Sequence, residues 1–140
     1  MNTYNRRIYL SDTDAAGVVY FASLLSICHE AYETSLQAAA IDFKTLVSPG
    51  NLALPIVHAE IDFFRPLFCG DDIIIKLSCV ELKDTEFIII YQVSVSLSPE
   101  ICVAKAQTKH VCINLNTRQR NPLSDSLVKW LCTIESSKEN

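Results

Sequence analysis

Between Val19 and Ala40 the chain contains neither proline nor glycine and its apolar residues recur at helical spacing, whereas beyond Leu54 the period becomes two. That single change of period constrains the fold more than any other feature. Phe21, Leu24, Leu25, Cys28, Ala31, Tyr32, Ser35, Leu36 and Ala39 share one helical face, opposite Ser23, Ser26, Glu30, Glu33 and Gln37. After a turn at Ser48-Pro49-Gly50-Asn51, the residues Val57, Ala59, Ile61 and Phe63 alternate with His58, Glu60 and Asp62 until Pro66 ends the strand. Three more strands are expected at 73–82, 87–97 and 101–115, separated by Lys83-Asp84-Thr85 and Ser98-Pro99-Glu100. A short strand over 6–10 precedes the long helix, and a short helix over 123–132 follows the last strand. The order predicts an α+β fold, an antiparallel sheet with one long helix packed on it. A chain of 140 residues fits one domain, here 1–132, with 133–140 as a flexible tail.

Several function classes drop out. A chain that is 49% hydrophobic is not disordered, and a formal charge of −4 argues against a general nucleic-acid binder. The glycines, Gly17, Gly50 and Gly70, stand too far apart for a phosphate loop or a dinucleotide fingerprint, and no G-x-S-x-G elbow occurs. No apolar run approaches a membrane span. The six cysteines never form a C-x-x-C pair, and Met1 to Leu10 holds no apolar segment resembling a signal peptide. Reduced, buried cysteines and a cytoplasmic location are therefore expected. Ile73-Ile74-Ile75 and Ile88-Ile89-Ile90 are apolar on both strand faces, so one helix cannot cover the sheet and a homodimer or homotetramer is expected.

The segment most suggestive of chemistry is Ser11-Asp12-Thr13-Asp14-Ala15-Ala16-Gly17-Val18-Val19-Tyr20-Phe21, with two carboxylates in the loop before the helix. A helix start leaves backbone N–H groups unpaired, and its dipole favours negative charge. A carboxylate beside such donors is a workable pair for acyl transfer: one attacks or activates water, the other holds the oxyanion. Capping the helix or tying the loop is the plainer role for both acids, and for Asp12 it is the one retained.

Asp12-Thr13-Asp14-Ala15-Ala16-Gly17-Val18-Val19-Tyr20-Phe21 resembles the signature of the 4-hydroxybenzoyl-CoA thioesterase family of hotdog-fold proteins. The element order agrees with that fold, in which a sheet wraps around a central helix. The resemblance implies that Asp14 is the catalytic carboxylate, that the backbone N–H of Phe21 polarises the thioester carbonyl, and that no metal or redox cofactor is needed. Within the family, Ser26 to Glu33, Leu54 to Ala59 with Ile61-Asp62-Phe63-Phe64, and Ala106 to Ile113 resemble the cyanobacterial 1,4-dihydroxy-2-naphthoyl-CoA hydrolases of phylloquinone biosynthesis. Relatives acting on short-chain or 4-hydroxybenzoyl-type acyl-CoA, and non-catalytic acyl-binding hotdog proteins, are the alternatives.

Other residues take their roles from that resemblance. Tyr20, His58, Phe63 and Phe64 become candidates for the acyl pocket, although core packing accounts for the aromatics equally well. His29-Glu30-Ala31-Tyr32-Glu33 begins like a zinc-protease helix but lacks the second histidine, so no metal site is expected. A second hotdog class carries its catalytic glutamate on this helix, which makes Glu30 and Glu33 fallback candidates. From Ile101 to Ser124 there is no acid, while Lys105, Lys109, Arg118 and Arg120 are basic. With Arg65 they are candidates for the phosphates of coenzyme A, a solvated lysine-guarded edge being the alternative.

Overall fold

The computed structural model describes residues 2–42, 44 and 52–136. Strand β1 (Thr3–Arg7) leads through a 3-10 turn (Leu10–Asp12) to helix α1 (Phe21–Ala38). Then come β2 (Leu52–Ala53), β3 (Ile56–Phe63), β4 (Asp72–Leu82), β5 (Glu86–Val95), β6 (Ala104–Val111), β7 (Ile113–Asn114) and helix α2 (Asp125–Thr133). The main sheet has the order β1-β4-β5-β6-β3, and every pair in it is antiparallel. β2 and β7 pair separately.

Alternation builds the core. Ile73, Ile75, Leu77 and Cys79 of β4, Phe87, Ile89, Tyr91 and Val93 of β5, and Ala104 and Ala106 of β6 all point to one face. α1 covers that face with Leu24, Ile27, Cys28, Ala31, Tyr32 and Leu36. α2 closes the side: Trp130 packs edge-on to Tyr32 and Phe87, and its Nε1–H donates to Ser35 Oγ at 2.8 Å. Ser124 caps α2 by accepting from the Leu127 N–H. The chain stays packed past residue 132: Ile134 is buried, and Cys79 bonds to Ile134 and Ser136 through its backbone. Residues 137–140 and the expected turn at 48–51 lie outside the described residues.

Several expectations need correction. The first strand ends at Arg7, because Leu10–Asp12 turns tightly once the Asp12 carboxylate accepts the Tyr9 N–H. Phe21 leaves the helix core and stays 56% exposed, since the first helical turn overhangs the sheet, while Ile27 takes a core position. The strand expected over 101–115 breaks at Cys112, whose N–H turns to the Thr85 carbonyl. Cys28, Cys79 and Cys112 are buried but Cys69 and Cys132 are exposed. The sheet also lacks a continuous outer apolar face. Ile74, Ile88 and Ile90 are half-buried there, among Lys76, Ser78, Gln92, Lys105, Gln107 and Lys109.

β3 and β4 follow each other in sequence yet are separated in the sheet by β5 and β6, with β3 the edge strand beyond β6. The connection between them runs past the start of α1. Leu67 is buried there and accepts the Val19 N–H at 2.8 Å, and Phe68 bridges Val18. This crossover brings residues 63–67 against the aspartate loop.

Candidate functional site

The aspartate segment is a small hairpin. Asp14 N–H donates to the Val18 carbonyl, Tyr20 N–H to the Asp12 carbonyl (both 2.9 Å), and Thr13 bridges Val19. The turn between the arms closes with Gly17 N–H on the Asp14 carbonyl at 3.0 Å and Ala16 N–H on Asp14 Oδ1 at 2.8 Å. Gly17 has φ +84°, and a Cβ there would meet nothing within 4 Å. Its value is thus the backbone conformation itself. The Asp14 carboxylate is exposed, and Oδ2 has no partner among the described residues.

α1 begins immediately after the hairpin. Tyr20, at the N-cap, offers no side-chain cap, and the first intrahelical donors are the N–H groups of Ser23 and Leu24, both on the Tyr20 carbonyl. The amides of Phe21 and Ala22 have no acceptor among the described residues. They therefore point outward with the partial positive charge of the helix start.

Asp14 and this helix start share a cleft of about 450 Å³ with Val18, Val19, Tyr20, Phe63, Phe64, Arg65, Pro66 and Leu67. The Tyr20 and Phe21 rings lie 4.8 Å apart at 52°. A wall of aromatic and aliphatic groups beside one carboxylate, one cation and the open Phe21 amide suits an apolar acyl group carrying a polar carbonyl. The structure thus brings together Asp14, Tyr20, Phe21, Phe63, Phe64 and Arg65. Val18 and Val19 enter with the hairpin they belong to, whereas Pro66 and Leu67 are carried there only by the crossover, which no local pattern announces.

Other candidates lie elsewhere. His58 is exposed on β3, and its Nε2 lies 2.8 Å from Glu60 Oε1, outside the cleft of this chain. Glu30 accepts from Tyr4 OH and Arg6, whereas Glu33 Oε2 lies 3.4 Å from His29 Nδ1. Neither lines the cleft. Asp12 ties the loop by accepting from Arg6 Nη1 at 2.6 Å and from the Tyr9 N–H at 2.8 Å. Burial works against its charged form, but the Arg6 and Tyr9 hydrogen bonds outweigh that and hold its carboxyl below the ordinary range.

The acid-free stretch does not converge on one place. Lys109 Nζ is 3.2 Å and Arg120 Nη1 2.6 Å from opposite oxygens of Glu86, a buried acid that sequence analysis did not single out. The hydrogen bond from Arg120, then that from Lys109, holds the Glu86 carboxyl below the ordinary range. Pairing of β5 with β6 brings Lys109 to Glu86, and the turn that bridges Arg120 to Ile113 brings the second cation, so no spacing signals it. Lys105 stands opposite Asp62 in the β6–β3 register, and Arg118 is exposed in the loop after β7 at φ +62°.

Comparison with known proteins agrees with the architecture. A protein named 1,4-dihydroxy-2-naphthoyl-CoA hydrolase from Rippkaea orientalis is 62% identical over 138 residues, covering 99% of this chain and all of that one. The crystal structure of a 1,4-dihydroxy-2-naphthoyl-CoA thioesterase from Synechocystis superposes with a TM-score of 0.88 at 43% identity, covering 93% of this chain and 94% of the other. A gentisyl-coenzyme A thioesterase structure gives a TM-score of 0.80 at 27% identity, covering 92% and 98%. The profile of the Thioesterase-like superfamily matches residues 8–131, a span that starts just after β1 and holds the aspartate hairpin, α1 and the whole cleft, and the chain is a hotdog-fold member of that superfamily.

Proposed function

We propose that the chain is an acyl-CoA thioesterase of the 4-hydroxybenzoyl-CoA type, and that 1,4-dihydroxy-2-naphthoyl-CoA of phylloquinone biosynthesis is its substrate. The carrying observation is Asp14 standing with the open amide of Phe21 at an aromatic-lined cleft. The names of the similar proteins from Rippkaea orientalis and Synechocystis support the substrate. The thioester carbonyl oxygen points at the helix start and gains charge as the carbonyl carbon is attacked, which the Phe21 amide and the helix dipole stabilise. The attacking oxygen is Asp14 Oδ2, giving a mixed anhydride that water later opens, or a water whose proton Asp14 accepts. In both routes the carbon–sulfur bond breaks, coenzyme A leaves as thiol after protonation, and the aromatic acid is released. Thiol release over a panel of acyl-CoA substrates tests the reading. The naphthoyl thioester should give the highest kcat/KM, and a preference for short aliphatic chains would overturn the substrate assignment. Label on Asp14 after a single turnover in heavy-oxygen water identifies an anhydride opened at the aspartyl carbon, because direct attack by water places label only in the released acid.

For coenzyme A, Arg65 is the favoured phosphate partner, because it alone of the basic candidates lines the cleft while Lys109 and Arg120 are engaged by Glu86. Contacts remote from the thioester bind ground and transition states alike. Arg65→Ala should therefore raise KM roughly tenfold with little change in kcat, the worth of one exposed charge-assisted contact. That effect should disappear for a thioester lacking the nucleotide. An unchanged KM for full-length acyl-CoA would return the role to Lys105 or Arg118.

The protein acts in this reading as a homodimer or homotetramer in the cytoplasm. Support for assembly moves from the sheet's middle to its edge. Among the described residues β3 leaves one side unpaired, only Ile61 of its residues is even half-buried, and Ile56, Val57, Phe63 and Phe64 are exposed beside it. Such an edge invites a partner strand. Sedimentation at micromolar concentration should give a dimer or tetramer, and a stable, active monomer would contradict it. Six unpaired cysteines support a reducing compartment, and no helix among the described residues is long and apolar enough to cross a membrane.

A further inference from the structure

Arg6, on β1, engages all five of its guanidinium N–H donors. Nε and Nη2 donate to the Glu30 carboxylate at 2.8 and 3.4 Å, and Nη1 and Nη2 donate to Asp12 at 2.6 and 3.4 Å. Nη1 also donates to the Arg7 carbonyl at 2.9 Å. Tyr4 OH donates to Glu30 from the same strand, and the guanidinium lies 5.5 Å from the centre of the Tyr9 ring. The side chains of Arg6 and Asp12 keep only 17% and 13% of their exposure, so this is not a solvated surface pair. One cation thus joins β1, the aspartate hairpin and the middle of α1.

Asp12 carries the connection onward through its backbone. Its carbonyl accepts the Tyr20 N–H at 2.9 Å, and Tyr20 is the N-cap from which α1 starts. Asp14 lies two residues beyond Asp12 on the same arm. A further support of the hairpin, Val19 N–H on the Leu67 carbonyl beside the Val18–Phe68 bridge, is independent of Arg6.

We infer that Arg6 is a positioning residue: by gripping Asp12 and Glu30 together, it fixes the arm bearing Asp14 relative to the helix-start amides. The inference rests on the thioesterase reading for its catalytic consequence. Two carboxylates on one cation need a planar, forked donor set, which lysine cannot supply. Because Val19 remains held, cutting the clamp shifts the hairpin without releasing it. A displacement of about an ångström in such a geometry is worth up to roughly a hundredfold in rate.

The test compares wild type, Asp14→Asn, Arg6→Gln, Arg6→Lys and Arg6→Ala by naphthoyl-CoA hydrolysis and by amide hydrogen exchange. Arg6→Gln should lower kcat by about tenfold or more with KM within roughly twofold, since no clamp residue lines the cleft. Arg6→Lys should recover little of the loss, and added ethylguanidinium should raise kcat of Arg6→Ala while leaving wild type unchanged. The Tyr20 amide should exchange about tenfold faster in Arg6→Gln, while the Val19 amide keeps its wild-type rate. A folded Arg6→Gln with wild-type kcat, or with unaltered Tyr20 exchange, overturns the inference. If wild type hydrolyses no aromatic acyl-CoA, the thioesterase reading fails, and with it the catalytic role given to Arg6; the Tyr20 exchange still reports whether the hairpin is clamped. Should Arg6→Gln not fold, Asp12→Asn removes one arm of the clamp at constant shape and carries the same two readouts.

Discussion

Replacing Asp14 by asparagine leaves the fold intact and lowers kcat by about a hundredfold or more, a loss near 3 kcal/mol in transition-state stabilisation. The amide is isosteric, and its oxygen can still accept the Ala16 N–H that closes the turn. What it lacks is the nucleophilic or basic oxygen that Asp14 presents through Oδ2. The exposed position of Asp14 means that the change costs little stability. Steady-state kinetics on the naphthoyl thioester, beside a thermal melt, give the answer. Near-wild-type turnover would remove Asp14 from the chemistry and redirect attention to Glu30 or Glu33, the latter ion-paired with His29.

A second large effect concerns stability against acid and centres on His110. The imidazole is buried between Phe87, 4.7 Å away and nearly parallel, and Tyr32, 4.6 Å away, with Nε2 2.7 Å from Thr108 Oγ1. The Thr108 hydroxyl also meets Tyr91 OH at 2.8 Å. Burial, with a smaller repulsion from His29, holds the ring down to about 3 from an ordinary 6.5. Between those values the unfolded chain binds a proton that the folded chain refuses, so stability rises with pH across that window and falls as acid is added. Taking the protein from pH 6.5 to 5 should cost about 2 kcal/mol through this one ring, read from urea midpoints. Carboxylates such as Asp12 and Glu86 add their own losses only further down. His110→Phe, which stacks but does not titrate, should flatten the slope. An equal slope in both proteins would place the acid sensitivity elsewhere.

What the sequence reveals and conceals follows the range of the interactions involved. α1 is legible because the spacing of Leu24, Cys28, Ala31, Tyr32 and Leu36 is a local property. The strands of β4 and β5 are legible for the same reason. The hairpin of Asp14 is legible because the motif packs its carboxylate, its glycine and the helix start into a few consecutive residues. Strand order is not, since nothing in β3 says that its neighbour is β6. The basic stretch misleads for a related reason: counting charges along the chain ignores Glu86, which lies across the sheet and takes up two of them. His58 shows the same limit, being correctly alternating but on the strand face turned away from the cleft. Arg6 escapes notice because its two anions, Asp12 and Glu30, meet only when β1 docks beside α1.

That docking has a kinetic meaning. β1 pairs with β4 alone, and the pair closes a long span of chain: Arg7 and Asp72, which meet at its end, are 65 residues apart. The entropy of closing such a loop must be met before the pair gives anything back, so β1 belongs to the slow, late part of folding. β5 with β4 is a short-range hairpin and forms early by comparison. The arm bearing Asp14 hangs from β1 and gains its grip on α1 only with that strand in place. During refolding, recovery of a sheet signal should therefore run ahead of the moment at which the molecule becomes competent.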